Sequence, residues 1–496
     1  MLSTMISDDL VCNSWFQTSM MACWSVAVAA TFIWTKVSLR SSSNTNVLAS
    51  SKSLLKHSNK KISVVLPVKG VHARTTENWK TQIASSVGAE MEFIFVMESV
   101  QDPAYEAALK FKKSMEGTVA MKVLVAGESF HCSQKIHNLL VGVKQVDPRS
   151  TYVLLLDDDA EMSSTVLGEL VTCLDADPRV LVASGWPHEY ISPGTTPRTF
   201  ACYMLLGYRL FSYLGIPFKH TKVLWGGCLL LRYKDLVSPE VGILEGWRQC
   251  GYSDDMIVGG RAHRLGMYIS IPPKAMLPAK MDVDYSFARH WNYMHRQMFV
   301  LDTYADNNDR LVNLVLLLVV SFCLLIFIWF NLQVMASLGF FSLCARMLDS
   351  DGRALLARRL TQGWDGDARC GVLNVAPEFV LVLNFVLFSM AFGSGLVAHW
   401  SITRMCERVT GRRGLYTHTV NPFLLAAGTF LGLAAQCLMQ GIASLVALLS
   451  DRVVWSGTTY IKRGGKVEEV WRPDGRGGLK TKPWRQSLEQ CRELVG

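Results

Sequence analysis

Charge is scarce in this 496-residue sequence. Asp, Glu, Lys and Arg make up 18% of it, below the roughly 25% of an average soluble domain, while hydrophobic residues make up 50%. That balance argues against an ordinary soluble protein, so membrane spans are sought before folds. Lys/Arg tracts of the nucleic-acid type are missing. The net charge of +9 is small for this length and suits an anionic membrane surface, so no nucleic acid is expected as a partner. The 13 cysteines contain no CxxC pair and no framework spacing, as reduced thiols would. Neither GxGxxG nor GxxxxGK[ST] follows the first predicted strand, which removes the dinucleotide fingerprint and the P-loop. No Lys or Arg precedes the first apolar stretch, only Asp8 and Asp9, the reverse of a secretory n-region; that stretch reads as an anchor.

Long apolar runs are abundant by contrast. Residues 18–36, 311–332, 374–399 and 421–450 each approach or exceed the length that crosses hydrocarbon. After the first run come Lys36, Arg40, Lys52, Lys56, Lys60 and Lys61 in a Ser/Asn-rich linker, which the positive-inside rule puts in the cytosol. The division that follows is an N-terminal membrane anchor at 1–38, a basic linker at 39–60, a cytosolic domain at 61–283 and an amphipathic interfacial helix at 284–310. A transmembrane region at 311–450 and a cytosolic tail at 451–496 complete it. Three C-terminal spans would carry the tail to the far side of the membrane, so one apolar segment must deviate, and 311–344 is the candidate.

Within 61–190, short β-branched runs alternate with helix-length periodic stretches. Strands are predicted at 61–68, 92–97, 120–126, 152–156 and 180–185. That order predicts a mostly parallel α/β sheet covered by helices, with ligands outside the carboxyl ends of its strands. At one such end stand Asp157, Asp158 and Asp159. Three adjacent carboxylates repel one another and are costly unless paired. At this spacing they can hold a hard divalent cation that neutralises a diphosphate, or they can cap the helix that begins near Ser163. Farther on, Gly226 and Gly227 interrupt an apolar run, as close backbone approach requires. Asp254 and Asp255 open a helical pattern, where one can serve as a general base or, with Ser253, as a cap. The stretch 285–304 reads as a helix with Phe287, Trp291, Met294, Met298 and Leu301 on one face.

LPVKG (66–70), EFIFVMESVQDPAYEA (92–107), VAGESFHCSQKIHNLLVGV (125–143), YVLLLDDD (152–159), LWGGCLLL (224–231), GYSDDM (251–256) and RHWNYMHRQMFVLDTY (289–304) together resemble the family 2 inverting glycosyltransferases. Within these the ceramide glucosyltransferases of plant type are the most similar. The resemblance covers about 61–305 and extends to the tail VWSGTTYIKRGGKVEEV (454–470). It implies a GT-A-like nucleotide-diphospho-sugar transferase domain between N-terminal and C-terminal transmembrane helices, at the Golgi or endoplasmic reticulum membrane. The partners it implies are UDP-glucose, ceramide and the lipid bilayer, with Mg2+ or Mn2+ as cofactor. By position, Glu98 and Asp102 with Pro67 and Gly70 would line the uracil and ribose pocket. Asp157 and Asp159 would hold metal and UDP, Lys135 would face the diphosphate, and Asp255 would be the base. Arg289 and Trp291 would serve the diphosphate end, although His290 intrudes on the family's (Q/R)xxRW pattern. The rival readings are another lipid acceptor, a processive polysaccharide synthase, or a catalytically silent binding or transport protein.

Overall fold

The computed structural model describes residues 60–85, 89–191, 195–212, 224–303, 422–474 and 477–482, with isolated positions between. The N-terminal anchor, nearly all of the basic linker, and almost all of the apolar runs at 311–332 and 374–399 lie outside the described residues.

The N-terminal half of the described chain begins with β1 (Lys61–Val68), α1 (Thr75–Ala84), β2 (Glu90–Met97), α2 (Pro103–Ser114), β3 (Ala120–Val125), α3 (Gln134–Val143), β4 (Tyr152–Leu156), α4 (Ser164–Ala176), β5 (Val180–Ser184), β6 (Trp186–Tyr190) and α5 (Phe200–Ser212). It continues with β7 (Cys228–Arg232), α6 (Tyr233–Val237), α7 (Ile243–Arg248), α8 (Asp254–Arg264), β8 (Tyr268–Ser270), β9 (Met276–Lys280) and α9 (Phe287–Leu301). After the undescribed stretch come α10 (Pro422–Leu449), β10 (Arg452–Trp455), β11 (Thr458–Arg463), β12 (Lys466–Pro473) and β13 (Leu479–Lys480).

Seven strands form one sheet in the order β3-β2-β1-β4-β7-β5-β8. The first four are parallel neighbours, but β7 runs antiparallel between β4 and β5. The mixed, mostly parallel sheet matches the predicted class; the reversed β7 was not foreseen. It matters, because its start brings Gly226 and Gly227 beside the end of β4, where Asp157 N–H donates to Gly227 O at 2.9 Å.

Strands buried on both faces read as unbroken apolar runs, and here each run divides cleanly between two cores. On one face, Ile62, Val64 and Leu66 of β1 with Phe93 and Phe95 of β2 meet α1, α2 and α4. On the other, Val65, Ile94 and Val153 meet α3, α7 and α8. Trp79, Phe95 and Phe111 pack edge-on in the first core, with Trp79 ring centroids 5.0 and 5.4 Å from the other two. Truncating such a buried ring costs about 3–5 kcal/mol.

Helix α10 contains, among the described residues, the one segment long and apolar enough to cross a membrane, Ala427–Leu449 with mean hydropathy 1.7. About half of it is buried against the rest of the protein. A Cβ at Gly432 would strike the backbone of Tyr203, so α10 and α5 touch main chain to main chain. Gln436 on α10 joins α9 through His290 Nε2 at 2.6 Å and Met294 Sδ at 2.8 Å.

From α10 the chain passes at once into the meander β10-β11-β12-β13, a second sheet. This ribbon is bonded to the first half: Val467 N–H donates to Cys250 O at 3.0 Å, and Lys480 pairs with Glu128 at 2.7 Å. Residues 303 and 452 therefore lie at the same end of the fold.

Candidate active site

A cavity of about 350 Å³ opens at the carboxyl ends of β1, β2 and β4. That volume suits a nucleotide or sugar rather than a solvent molecule. Pro67, Glu98, Lys135, Asp157, Asp159 and Asp255 all line it, so residues spread over nearly two hundred positions meet at one place.

The parallel strands account for the meeting. β1 and β2 pair in register through Pro67↔Val96 and Val68↔Met97, so the residues that follow, Lys69 and Glu98, emerge together. Lys69 Nζ pairs with Glu98 Oε2 at 2.6 Å. One strand over, β4 ends at Leu156 and delivers Asp157, Asp158 and Asp159 to the floor. The turn is fixed from behind by α1, where Gln82 Nε2 donates to the carbonyls of Asp157 and Ala160, both at 3.0 Å.

The capping reading of these aspartates fails. The N-cap residue of α4 is Ser163, four residues past Asp159, and α4 has no side-chain capping bond at that position. Burial first, then the charges of Asp159 and Asp157, push the Asp158 carboxyl well above its ordinary range. Asp159 is pushed up to about 6 by burial and by Asp157. Its side chain is open to the cleft, so solvent there softens the effect of burial and the crowding of like charge counts for more. A cluster of hard oxygen donors strained by its own charge is a fit for Mg2+ or Mn2+. Asp157 has one oxygen engaged, since Lys135 Nζ sits 2.9 Å from Oδ1.

Lys135 is the hub of the floor. Its ammonium also lies 3.4 Å from Asp254 Oδ2 and donates to Gly226 O at 3.1 Å. Burial opposes its charge, but Asp157 and Asp254 outweigh burial, and the lysine is held protonated far above its usual value. It stands in the first turn of α3, whose cap, Ser133, accepts from Ile136 N–H at 3.3 Å. A fixed cation and a helix N-terminus thus face the cavity together.

Asp254 and Asp255 open α8 but do different things. Asp254 is 5% exposed, and burial, partly offset by Lys135, pushes its carboxyl up to about 7. Asp255 accepts from Gly226 N–H at 3.0 Å and Met256 N–H at 2.8 Å, and from the Ser253 hydroxyl. Ser253 occupies the N-cap position without making a capping bond. The glycine at 226 is required by approach: a Cβ there would lie 3.0 Å from Asp255 Oδ2.

Other sequence candidates fall elsewhere. Gly70 N–H and Ala104 N–H both donate to Asp102 Oδ1 at 2.9 Å, so Asp102 caps α2 and pins the loop after β1, just behind the cavity wall. Arg289 is largely exposed and pairs with Asp282 at 2.8 Å, away from the cavity. Trp291 stacks on His295, with ring centroids 6.4 Å apart, and does not line the cavity either. His290 is fully buried against α10. One and two turns farther along α9, Arg296, Gln297 and Val300 do line it. The face drawn from sequence is broken in the same way, since Met294 and Met298 are buried while Phe287 is 62% exposed.

Sequence reasoning missed the opposite wall altogether. Trp455, Ser456, Thr458 and Tyr460 of the ribbon complete the cavity, and Tyr460 Oη accepts from Gln134 N–H at 3.2 Å. Arg296 lies over the Trp455 ring at 4.6 Å. The signal was present in VVW-SG-TTYIKR-GG-KVEEVW, alternating runs joined by two-residue turns. Ser456 and Gly457 both have positive φ, 49° and 78°, as a type I′ hairpin turn needs.

Among the described residues, His131 and Cys132 of the loop before α3 and His137 near its start, all buried, have ligand atoms within 4.8 Å of one another.

A family described as Glycosyl transferase family 21 matches residues 18–352. No curated protein matches the chain. Among solved structures, a mannosyltransferase from Pyrobaculum calidifontis, in complex with GDP-Man and Mn2+, is similar at 14% identity and TM-score 0.40, covering 86% of this chain and 98% of that one. TarS 1-349 of S. aureus in complex with UDP-GlcNAc is similar at 12% identity and TM-score 0.31, covering 82% and 98%.

Proposed function

Because the chain belongs to glycosyl transferase family 21, and so to the sugar transferases, we propose that it moves glucose from UDP-glucose to the primary hydroxyl of ceramide with inversion, giving β-glucosylceramide. The family is number 21 and not the family 2 that the motifs implied. We further read it as a multi-pass protein of the Golgi or endoplasmic reticulum membrane with its catalytic half in the cytosol.

The observation that carries the reading is the convergence in one cavity of Glu98, Lys135, the three aspartates after β4 and the pair that opens α8. Asp157 and Asp159 would hold the divalent cation, which when bound neutralises diphosphate charge. Lys135 and the N-terminus of α3 supply fixed positive potential to the same end of the donor, already oriented by Asp157 and Asp254. Pro67 and Glu98 bound the nucleoside side of the cavity.

Asp255 is the proposed base. Its carboxylate is aimed by the Gly226 and Met256 amides, so it needs no rearrangement to meet an acceptor hydroxyl in the cavity. As the acceptor oxygen bonds to the anomeric carbon, its proton passes to Asp255. The bond from that carbon to the diphosphate oxygen breaks on the opposite face, and UDP leaves with the electron pair. One displacement turns an α-linked donor into a β-glucoside.

An apolar acceptor must reach Asp255 from a bilayer. Helices α9 and α10 stand beside the cavity and suit that approach, since Arg296 and Gln297 of α9 line it while α10 presents Leu431, Leu438, Ile442 and Leu445 outward. The test is to incubate membranes containing the full chain with labelled UDP-glucose and ceramide. A β-glucosylated lipid is the expected product; release of free glucose alone, or a polymer, would overturn the acceptor assignment.

A further inference from the structure

The ribbon does more than close the cavity. At its far end Arg472, 3% exposed, reaches back into the catalytic half with all of its fork engaged. Nη1 lies 2.6 Å from Glu98 Oε1, Nε donates to Ser129 O at 2.9 Å, and Nη2 donates to Gln134 Oε1. These three acceptors belong to the end of β2, the loop after β3 and the start of α3. A planar guanidinium presents its donors from three separate nitrogens in one rigid fork, whereas a lysine ammonium offers its three donors from a single point.

Glu98 is the member of this set that lines the cavity. Its other oxygen takes Lys69, whose side chain is about half exposed, so solvent screens that pair and the buried arginine is the partner that fixes the carboxylate. Gln134, also held by Arg472, lines the cavity beside Lys135.

The geometry points to Arg472 as a positioning residue for the donor pocket. Acting through Glu98, it sets the wall against which the nucleoside diphosphate sugar is bound, so donor recognition depends on the C-terminal ribbon. The inference rests on the proposed reading that Glu98 faces the nucleoside of a UDP-sugar. Arg472 itself touches no reacting atom.

The experiment uses the full chain in membranes, with UDP-glucose as probe, and measures wild type first. If wild type neither binds nor turns over UDP-glucose, the donor reading falls and this inference with it. Given wild-type binding, Arg472→Met is expected to raise the donor KM by about tenfold or more, leaving kcat within a few-fold and the acceptor KM unchanged. Arg472→Lys should fall between, because it pairs with Glu98 without spanning the other acceptors. A donor KM within twofold of wild type in folded Arg472→Met would overturn the inference, as would a fall in kcat and folded yield with KM unmoved, the mark of a staple. Should Arg472→Met fail to fold because Glu98 is left a buried orphan, the double variant with Glu98→Gln leaves no orphaned charge. Acting through Glu98 means the double variant is no worse for donor KM than Glu98→Gln alone; additive losses would reject that route.

Discussion

The two walls of the cavity were built by different means. One comes from a run of consecutive strand-helix units, so that Glu98, Lys135 and Asp157 arrive at the ends of neighbouring parallel strands or the helix between them. The other comes from α9 and from a hairpin some three hundred residues away in sequence, brought in by tertiary contacts alone. The first wall holds nearly all the charge and the second supplies rings and hydroxyls. A site can thus be half periodic and half assembled, and mutations should read differently on the two sides.

The largest effect is expected on the first wall. Lys135→Met would leave Asp157 and Asp254 facing each other without their shared cation, and breaking a buried pair of this kind costs about 3–5 kcal/mol. Turnover should vanish and the melting temperature should fall; a stable variant with wild-type turnover would show that the floor is not organised around the lysine.

Next in size is Asp255→Asn, which keeps shape but cannot take a proton. A loss of about a hundredfold or more in kcat, with donor KM held, is the expected outcome in product-release assays. Equal loss of donor affinity would make Asp255 a strut for Gly226, and the corresponding loss in Asp254→Asn would move the base one residue back.

A pH effect of intermediate size follows from Asp254. Its folded value, about 7, lies above the unfolded value of 3.8, so between those limits the folded state holds a proton that the unfolded state has released. Stability supplied by the protonated form is therefore present at the acid end of this window and is lost as pH rises through about 7. Asp254→Asn should flatten the decline in melting temperature between pH 4 and pH 7; an unchanged slope would assign the decline to another group.

The smallest effect sharpens the comparison from the second wall. Arg289→Ala removes an exposed pair worth at most about 1 kcal/mol, and since Arg289 lies off the cavity the donor KM should stay within about twofold. A tenfold rise would bring that arginine back to the diphosphate.

The same contrast explains what was legible in sequence. β1 and β4 were predicted to the residue, because strands buried on both faces leave an apolar run that stops where the cavity begins. Asp157 stood out as a carboxylate at such a stop, and Asp255 as one of a pair that opens a helical pattern. Gly226 announced a close approach without saying to what. The reversed β7 could not be read, since an apolar run carries no direction. Arg289 was named for the diphosphate end while Arg296 lines the cavity, because a motif names positions, whereas the helix turn that faces a cavity is set by how α9 lies on α10. The ribbon was readable as hairpins from its Ser-Gly and Gly-Gly turns, but nothing in those residues tells which distant strand end they will cover.

Synthesis runs from the first wall to the second. The sheet that carries Glu98 and Asp157 leaves the ribosome long before Trp455, Tyr460 and Arg472, with the whole of 303–422 and α10 between them. Until the intervening chain has been made and α10 has docked on α5 and α9, the C-terminal ribbon is not in place and the cavity stays open on one side. An enzyme so arranged is silent while nascent, and its first turnover reports that the last part of the chain has already found its place.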